Sequence, residues 1–420
     1  MASLRSALSS RFARQVFTLS AGSALSQAIP LAASPILTRI YAAEDFGVYV
    51  MVLAISAVLL TVSSLRLDAA ILQVRHARQI KPLITLGFLA ILVINVAVAL
   101  AIALCIAFAW FPAALAKAGY WLLVIPLLTT ANAVQNLFIA INIRDGSFRT
   151  ISTATVQKAA ASTVVQIALG WMGFGIGGLF AGSLVASLAA NQRLISGKTE
   201  LGGSWRAGRR RLAATARRFS DFPLYTMPGT LINSLALNSV VMLLGIQHSA
   251  HDVGQFGLAQ RSVAGPLKTI SDAVGQVFLQ RASLQKDNPA ALRSLYLRTA
   301  LMLAAVAIAV LLPVSFWLEE IFAFVFGSQW RLAGSISAIL LPLIGIRFVV
   351  SPISGITNFR GMNAFGMVMQ IAILFGILAS FWVAYAWQLD LLQTVRIYTA
   401  VGCLTYVAFG VLGFAKLRDN

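Results

Sequence analysis

The sequence predicts an all-α integral membrane protein, with about twelve transmembrane helices in two six-helix lobes and a central cavity. Three observations carry that expectation. Twelve long apolar stretches follow one another along 420 residues, of which 59% are hydrophobic and only 11% charged, a balance far from that of water-soluble domains. Lys and Arg crowd alternate connections between those stretches. The densest basic run, Arg206 to Arg218, falls midway along the chain and separates two sets of six. Length decides the environment, because a helix crossing roughly 30 Å of hydrocarbon needs about 20 apolar residues, whereas helices of soluble proteins average about 10 to 14.

The first lobe, residues 1–195, is expected to hold helices near 15–40, 45–64, 83–111, 119–142, 154–172 and 174–192. The first follows a basic tail that lacks the short apolar core and small-residue cleavage site of a removable signal, so its N terminus is expected to be retained. Leu83 to Phe111 passes the length criterion easily. Between the fifth and sixth stretches, Gly173, Gly175 and Gly178 in GFGIGG have a dinucleotide-binding spacing. They are flanked by two membrane helices, with no strand and no acidic ribose contact, and read as a hairpin turn. Residues 196–221 form a basic cytoplasmic connector. The second lobe, 222–420, should hold helices near 222–247, 253–280, 297–317, 332–355, 364–387 and 393–414. Pro30 and Pro35, Pro223 and Pro228, and Pro266 each remove a backbone donor and are candidate bends or hinges.

The halves look duplicated. A shift of 207 residues places Gly22 on Gly229, Ser26 on Asn233, Gly47 on Gly254 and Tyr49 on Phe256. Parallel repeats of this kind characterise two-lobed transporters whose cargo site lies between the lobes.

Charge gives the orientation. The tails and even-numbered connections carry 25 of the 32 basic residues, while the other side has only Arg39, Lys117, Arg331 and Arg396, so the positive-inside bias places both termini in the cytoplasm. A nucleic-acid role for the +19 formal charge is disfavoured, since the basic residues flank helices instead of forming one soluble face. Cys105 and Cys403 both lie in predicted spans and imply no disulfide framework or thiolate metal site. No Walker A sequence occurs, and no cofactor is expected.

Ionisable groups at bilayer depth are costly, about 2.5–3.5 kcal/mol each on insertion scales, and are functional candidates by default. They are Arg261, Lys268, Asp272 and Arg347. Arg261, Gly265, Lys268, Asp272 and Gln276 recur at helical spacing and should form one polar face lining the interior. Lys268 and Asp272 stand at i, i+4 and can neutralise one another. The remaining positive charge calls for an anionic cargo, and phosphate suits Arg forks and a Lys point charge. Ser20, Ser23, Gln27, Ser34 and Thr38 on helix 1, Asn132, Gln135 and Asn136 on helix 4, and Tyr225, Asn233 and Asn238 on helix 7 extend the expected polar lining, or act as interhelical glue.

Five segments in order resemble the bacterial oligosaccharide flippases of O-antigen and polysaccharide biosynthesis, within the multidrug/oligosaccharidyl-lipid/polysaccharide exporter superfamily. They are SPILTRIYAAEDFGVY (Ser34 to Tyr49), RLDAAI (Arg66 to Ile71, with Leu67 replacing the usual aromatic), FPLYTMPGTLINSLA (Phe222 to Ala236), VGQFGLAQRSVAGPLKTISDAVGQVF (Val253 to Phe278) and FGSQWRLAG (Phe326 to Gly334). The resemblance implies translocation of an undecaprenyl-diphosphate-linked oligosaccharide from the cytoplasmic to the periplasmic leaflet of the inner membrane by alternating access. Proton or sodium coupling and a polysaccharide polymerase machinery as partner are part of that picture. On this reading Arg261, Lys268 and Arg347 contact diphosphate or sugar, Asn233 and Gln27 contact hydroxyls, and Asp272 couples an ion or restrains Lys268. A multidrug cation antiporter should concentrate carboxylates in its interior instead. A lipid-linked sugar polymerase would need catalytic groups in a sizeable outer loop, where Glu319 and Glu320 are adjacent and point about 100° apart on a helix.

Overall fold

A computed structural model describes residues 2–74, 79–108, 110, 115, 118–196, 208–285, 288–358 and 363–419. Among them no strand occurs. The chain divides into two compact units, residues 1–238 and 239–420, and the division falls inside a helix.

The first unit contains α1 (Ala2–Ile40), α2 (Ala43–Ser63), α3 (Leu67–Gln73), α4 (Ile80–Ala107), α5 (Val124–Arg144, entered through a 3-10 turn Gly119–Leu123), α6 (Phe148–Trp171), α7 (Ile176–Ile195) and α8 (Arg209–Arg218). A π turn at Phe222–Thr226 leads into α9 (Met227–Gln247), which carries the chain into the second unit. There follow α10 (Ala250–Ala259), a π turn at Gln260–Ala264, α11 (Gly265–Leu284), α12 (Pro289–Ser315), α13 (Leu318–Phe326), α14 (Arg331–Ser354), α15 (Asn363–Ala386) and α16 (Leu391–Asp419).

Eight helices are long and apolar enough to cross a membrane: 43–63, 80–107, 119–144, 222–247, 289–315, 328–354, 365–386 and 391–417. Four further rods, α1, α6, α7 and the α10–α11 pair, complete the predicted twelve. They fall short of the apolar criterion because they carry the polar residues that matter below, such as Gln27, Lys158, Gln166, Lys268 and Asp272. The short helices α3, α8 and α13 were not anticipated, since each is too brief for the length test that finds spans.

Small residues let the first unit pack closely. A Cβ at Gly22 of α1 would meet Ser152 Oγ of α6 at 2.0 Å, and one at Gly182 of α7 would meet Gln166 Cγ of α6 at 2.5 Å. The α6–α7 link is the hairpin read from GFGIGG: Gly173 and Gly175 have φ of +79° and +53°, the left-handed region that glycine enters without penalty. Tyr41, just past α1, donates its hydroxyl to the Gln166 carbonyl at 2.6 Å. Ile71, Leu83, Leu137 and Leu194 close an apolar core among α3, α4, α5 and α7.

In the second unit Phe278, Tyr296, Ile353 and Leu417 join α11, α12, α14 and α16. The start of α10 is set by a reciprocal cap, Asp252 N–H to Ser249 Oγ and Ser249 N–H to Asp252 Oδ2, both at 3.2 Å. That pair satisfies two of the donors a helix start leaves free.

The outer surfaces are apolar. Leu92, Val93, Leu100 and Leu104 of α4 are all exposed, as expected of side chains that meet acyl chains. Exposed Trp110, Tyr120, Trp171, Trp317, Tyr385 and Trp387 cluster at helix ends on the connections poor in Lys and Arg, the placement of an interfacial aromatic belt. The protein is a multi-pass membrane protein.

Candidate functional site

The second-unit site begins at Pro266. Its ring nitrogen cannot donate to the Ser262 carbonyl, and the helix widens into the π turn Gln260–Ala264 that carries Arg261; single π turns of this type gather at functional sites. Past it, Ser271, Gly275, Phe278 and Ala282 form the buried face of α11, where a Cβ at Gly275 would lie 3.3 Å from the Pro352 Cα of α14. The opposite face presents Lys268, Asp272 and Gln276, with Arg261 preceding them, all exposed on this unit. The expected polar face therefore exists, and it is open instead of packed into the unit.

Lys268 Nζ donates to Asp272 Oδ2 at 2.6 Å, with side chains 74% and 53% exposed. This is the i, i+4 pair that the spacing predicts. Arg347 on α14 stands differently. Its guanidinium lies 5.2 Å from the ring centroid of Tyr406 on α16, a cation–π contact that holds the fork against one neighbouring helix. Among the described residues neither Arg261 nor Arg347 has a carboxylate within ion-pair distance.

Asn233 and Tyr225 are exposed on the α9 rod, and Gln27 is exposed on α1. Asn238 turns back to the Ser234 carbonyl at 2.8 Å, while Ser234 Oγ donates to the Ala57 carbonyl of α2 at 3.2 Å. Two members of the expected helix 1 lining need correction. Ser34 and Thr38 are buried, and their hydroxyls donate to the Leu31 and Pro35 carbonyls; Ser34 thereby satisfies the carbonyl that Pro35 leaves without its helix donor, and both side chains are turned to their own helix.

The sequence reading missed Lys158. It is one of the 25 basic residues assigned above to the tails and even-numbered connections, yet it is the eleventh residue of α6, about 15 Å along the helix at 1.5 Å per residue. Its ammonium donates to Asn132 Oδ1 at 2.5 Å and Gln135 Oε1 at 2.7 Å, both on α5. The only available signal was that Asn132 and Gln135 share a face at i, i+3. About 12 Å further along α6, Gln166 donates to Tyr49 Oη at 3.2 Å and to the Leu179 carbonyl at 3.1 Å.

A second arginine is engaged at α3. Arg144 at the end of α5 donates to the Ile71 and Val74 carbonyls, and Arg66 reaches Asp68 at 3.8 Å. Leu65 and Arg66 have φ of +49° and +58°, an uncommon conformation for side-chain-bearing residues, held here by the Ser64–Asp68 hydrogen bond at 2.8 Å.

Among solved structures, the chain is similar to an inward-facing multidrug resistance MATE family transporter of the MOP superfamily, with TM-score 0.70 and 14% identity over 96% of each chain. It is similar to the lipid II flippase MurJ in an inward-closed conformation, with TM-score 0.72 and 11% identity over 96% of this chain and 90% of that one. A MOP superfamily transporter from Pyrococcus furiosus, described by the reverse polarity of its binding pocket, gives TM-score 0.59 and 15% identity over 98% and 96%. No curated protein sequence matches. These likenesses define the fold as that of the all-helical transporters of the MOP superfamily. Residues 36–334 match the family described as polysaccharide biosynthesis protein, and the chain belongs to that family.

Proposed function

We propose that the protein is a flippase that carries an undecaprenyl-diphosphate-linked oligosaccharide from the cytoplasmic to the periplasmic leaflet of the bacterial inner membrane, for O-antigen, capsule or exopolysaccharide synthesis. Membership of the polysaccharide biosynthesis family supports the pathway. The observation that carries the cargo class is electrostatic: Arg261 and Arg347 sit in membrane-crossing rods without an acidic partner among the described residues, and Lys268 shares one carboxylate. A diphosphate supplies the missing negative charge, and guanidinium forks bind its oxygens bidentately. Asn233 and Gln27 offer amides to sugar hydroxyls, and Asp272 restrains Lys268 until phosphate competes for it.

The physical task is to replace water around a headgroup that hydrocarbon rejects, since unpaired polar and charged groups there are prohibitively costly. Exposing that headgroup site first to one membrane face and then to the other completes the transfer, while the lipid tail stays in the bilayer. Both termini lie in the cytoplasm on this reading, with the aromatic helix ends at the periplasmic side.

A multidrug antiporter is the second reading, favoured by the similarity to MATE transporters. Its cationic cargo would be repelled by the same arginines. Arg261→Ala is expected to reduce surface polysaccharide about tenfold or more, the loss of one charge-assisted hydrogen bond, at unchanged protein abundance and drug susceptibility. Arg210→Ala on α8 should be mild. Unchanged polysaccharide with altered drug susceptibility would support the antiporter instead.

A further inference from the structure

Helices α1, α5, α6 and α7 carry no Asp or Glu at all, yet they enclose a lysine. Lys158 is only partly accessible, and both of its recorded hydrogen bonds go to neutral amide oxygens, Asn132 Oδ1 and Gln135 Oε1. The groups around that ammonium are arranged as acceptors. Asn132 uses its amide nitrogen on the Leu128 carbonyl at 2.9 Å, which turns its oxygen toward Lys158. Ser187 Oγ of α7 has the Ser183 carbonyl at 3.0 Å and the same Asn132 oxygen at 3.3 Å as acceptors for its one proton, and either bond directs that proton away from an incoming anion.

Such a cage has the chemistry of a monovalent cation site, with the cation covalently tethered. A phosphate entering it would meet amide oxygens, whereas an ammonium is held by them. The tethered cation differs from a metal ion in one respect: it can lose its charge by giving up a proton.

We infer that Lys158, Asn132 and Gln135 form a proton-binding site of the first unit, in which the protonated lysine ties α6 to α5 and its deprotonation weakens the tie from charge-assisted to neutral hydrogen bonds. The inference rests on the flippase reading only for its purpose, the coupling of proton movement to transport. Other charged groups on the helices packed against α6 do not compete. Arg39 and Arg193 are exposed at the ends of α1 and α7, Arg144 at the end of α5 is spent on the Ile71 and Val74 carbonyls, and Arg149 is exposed at the start of α6 itself. The side chains of Arg5, Arg11 and Arg14 lie outside the described residues. Asp145 is exposed in the turn between α5 and α6, and Tyr41 and Tyr49 are gathered on Gln166 about 12 Å further along the helix.

Hydrogen exchange by mass spectrometry on the full chain in lipid nanodiscs, between pH 6 and 10 and corrected for intrinsic rates, tests this without cargo. Peptides from 124–144 and 148–171 should lose protection about tenfold in wild type as pH rises, the effect of losing one charge-assisted hydrogen bond. Lys158→Arg, which keeps its charge, should stay protected throughout. Lys158→Met should be unprotected at every pH; if it fails to insert, the comparison of Lys158→Arg with wild type decides alone. A flat wild-type profile, or a Lys158→Arg profile that follows wild type, overturns the proposal. Protection gained from added inorganic pyrophosphate and lost in Lys158→Met would overturn it too, in favour of an anion site. Because no lipid-linked glycan is present, failure here leaves the flippase reading to its own test.

Discussion

His248 sits in the connection between α9 and α10, with Nε2 3.3 Å from Thr394 Oγ1. Burial holds its imidazole below the usual range, against the opposing pull of Asp252 and Asp390. The folded protein thus binds fewer protons here than the unfolded chain, so the contribution to stability is full above the unfolded value near 6.5 and is lost as pH falls from there through the lower folded value. Thermal unfolding in detergent should show a lower midpoint at pH 5.5 than at pH 7.5, and His248→Gln should flatten that difference; an unchanged slope in the variant would contradict the assignment. The same scale shows what the sequence discloses about a site. Lys268 and Asp272 were legible as a pair because i, i+4 spacing is a local property of one helix. Lys158 was not, because its partners lie 23 and 26 residues away on α5, and charge in a linear sequence reads as topology until packing brings the amides to it. Ser34 and Thr38 failed for a related reason: a hydroxyl bonded to its own helix and one facing a cavity have identical spacing.

At the scale of the element, hydropathy located the long rods well, since spanning length is written in the run of apolar residues. It could not show where a rod changes register. The π turns at 222–226 and 260–264 had only the neighbouring prolines as a signal, and a proline equally permits a bend or a static re-satisfied helix. Short α3 and α13 are set by tertiary contacts: the chain at α13 packs so closely on α14 that a Cβ at Gly334 would lie 2.6 Å from the Glu319 Cα. The junction of α10 with the start of α14 depends on Gln255, fully buried, which donates to the Gln329 carbonyl at 2.8 Å and accepts from the Ala333 N–H at 3.0 Å. Gln255→Leu would remove both bonds and take the Gln255 acceptor from the buried Ala333 N–H, at about 1–3 kcal/mol. Loss of thermal stability should follow, and a midpoint equal to wild type would show that water or a neighbour replaces the amide. In the first unit Gly22→Leu should be at least as harmful, because Ser152 occupies the space its side chain needs.

For the whole molecule, family and fold are those of a membrane transporter of polysaccharide biosynthesis, and the proposed flippase reading makes it a machine for moving a polar headgroup past hydrocarbon. Each compact unit contributes a different kind of cation. The second carries an exposed Arg261 and an Arg347 braced on Tyr406, while the first keeps Lys158 bound to its own amides. That division accounts for a strongly basic membrane protein whose charge is more than a topology signal. It was only partly legible in advance, because the +19 balance counts cations without saying which are held and which are offered. The claim that stands or falls with this account is transfer between leaflets, and the direct measurement is the sidedness of lipid-linked glycan in cells lacking the protein. Undecaprenyl-diphosphate-linked oligosaccharide should accumulate on the cytoplasmic leaflet and return to the periplasmic face when the wild-type chain, but not Arg261→Ala, is restored. Glycan reaching the periplasm at the wild-type rate in its absence would contradict the account.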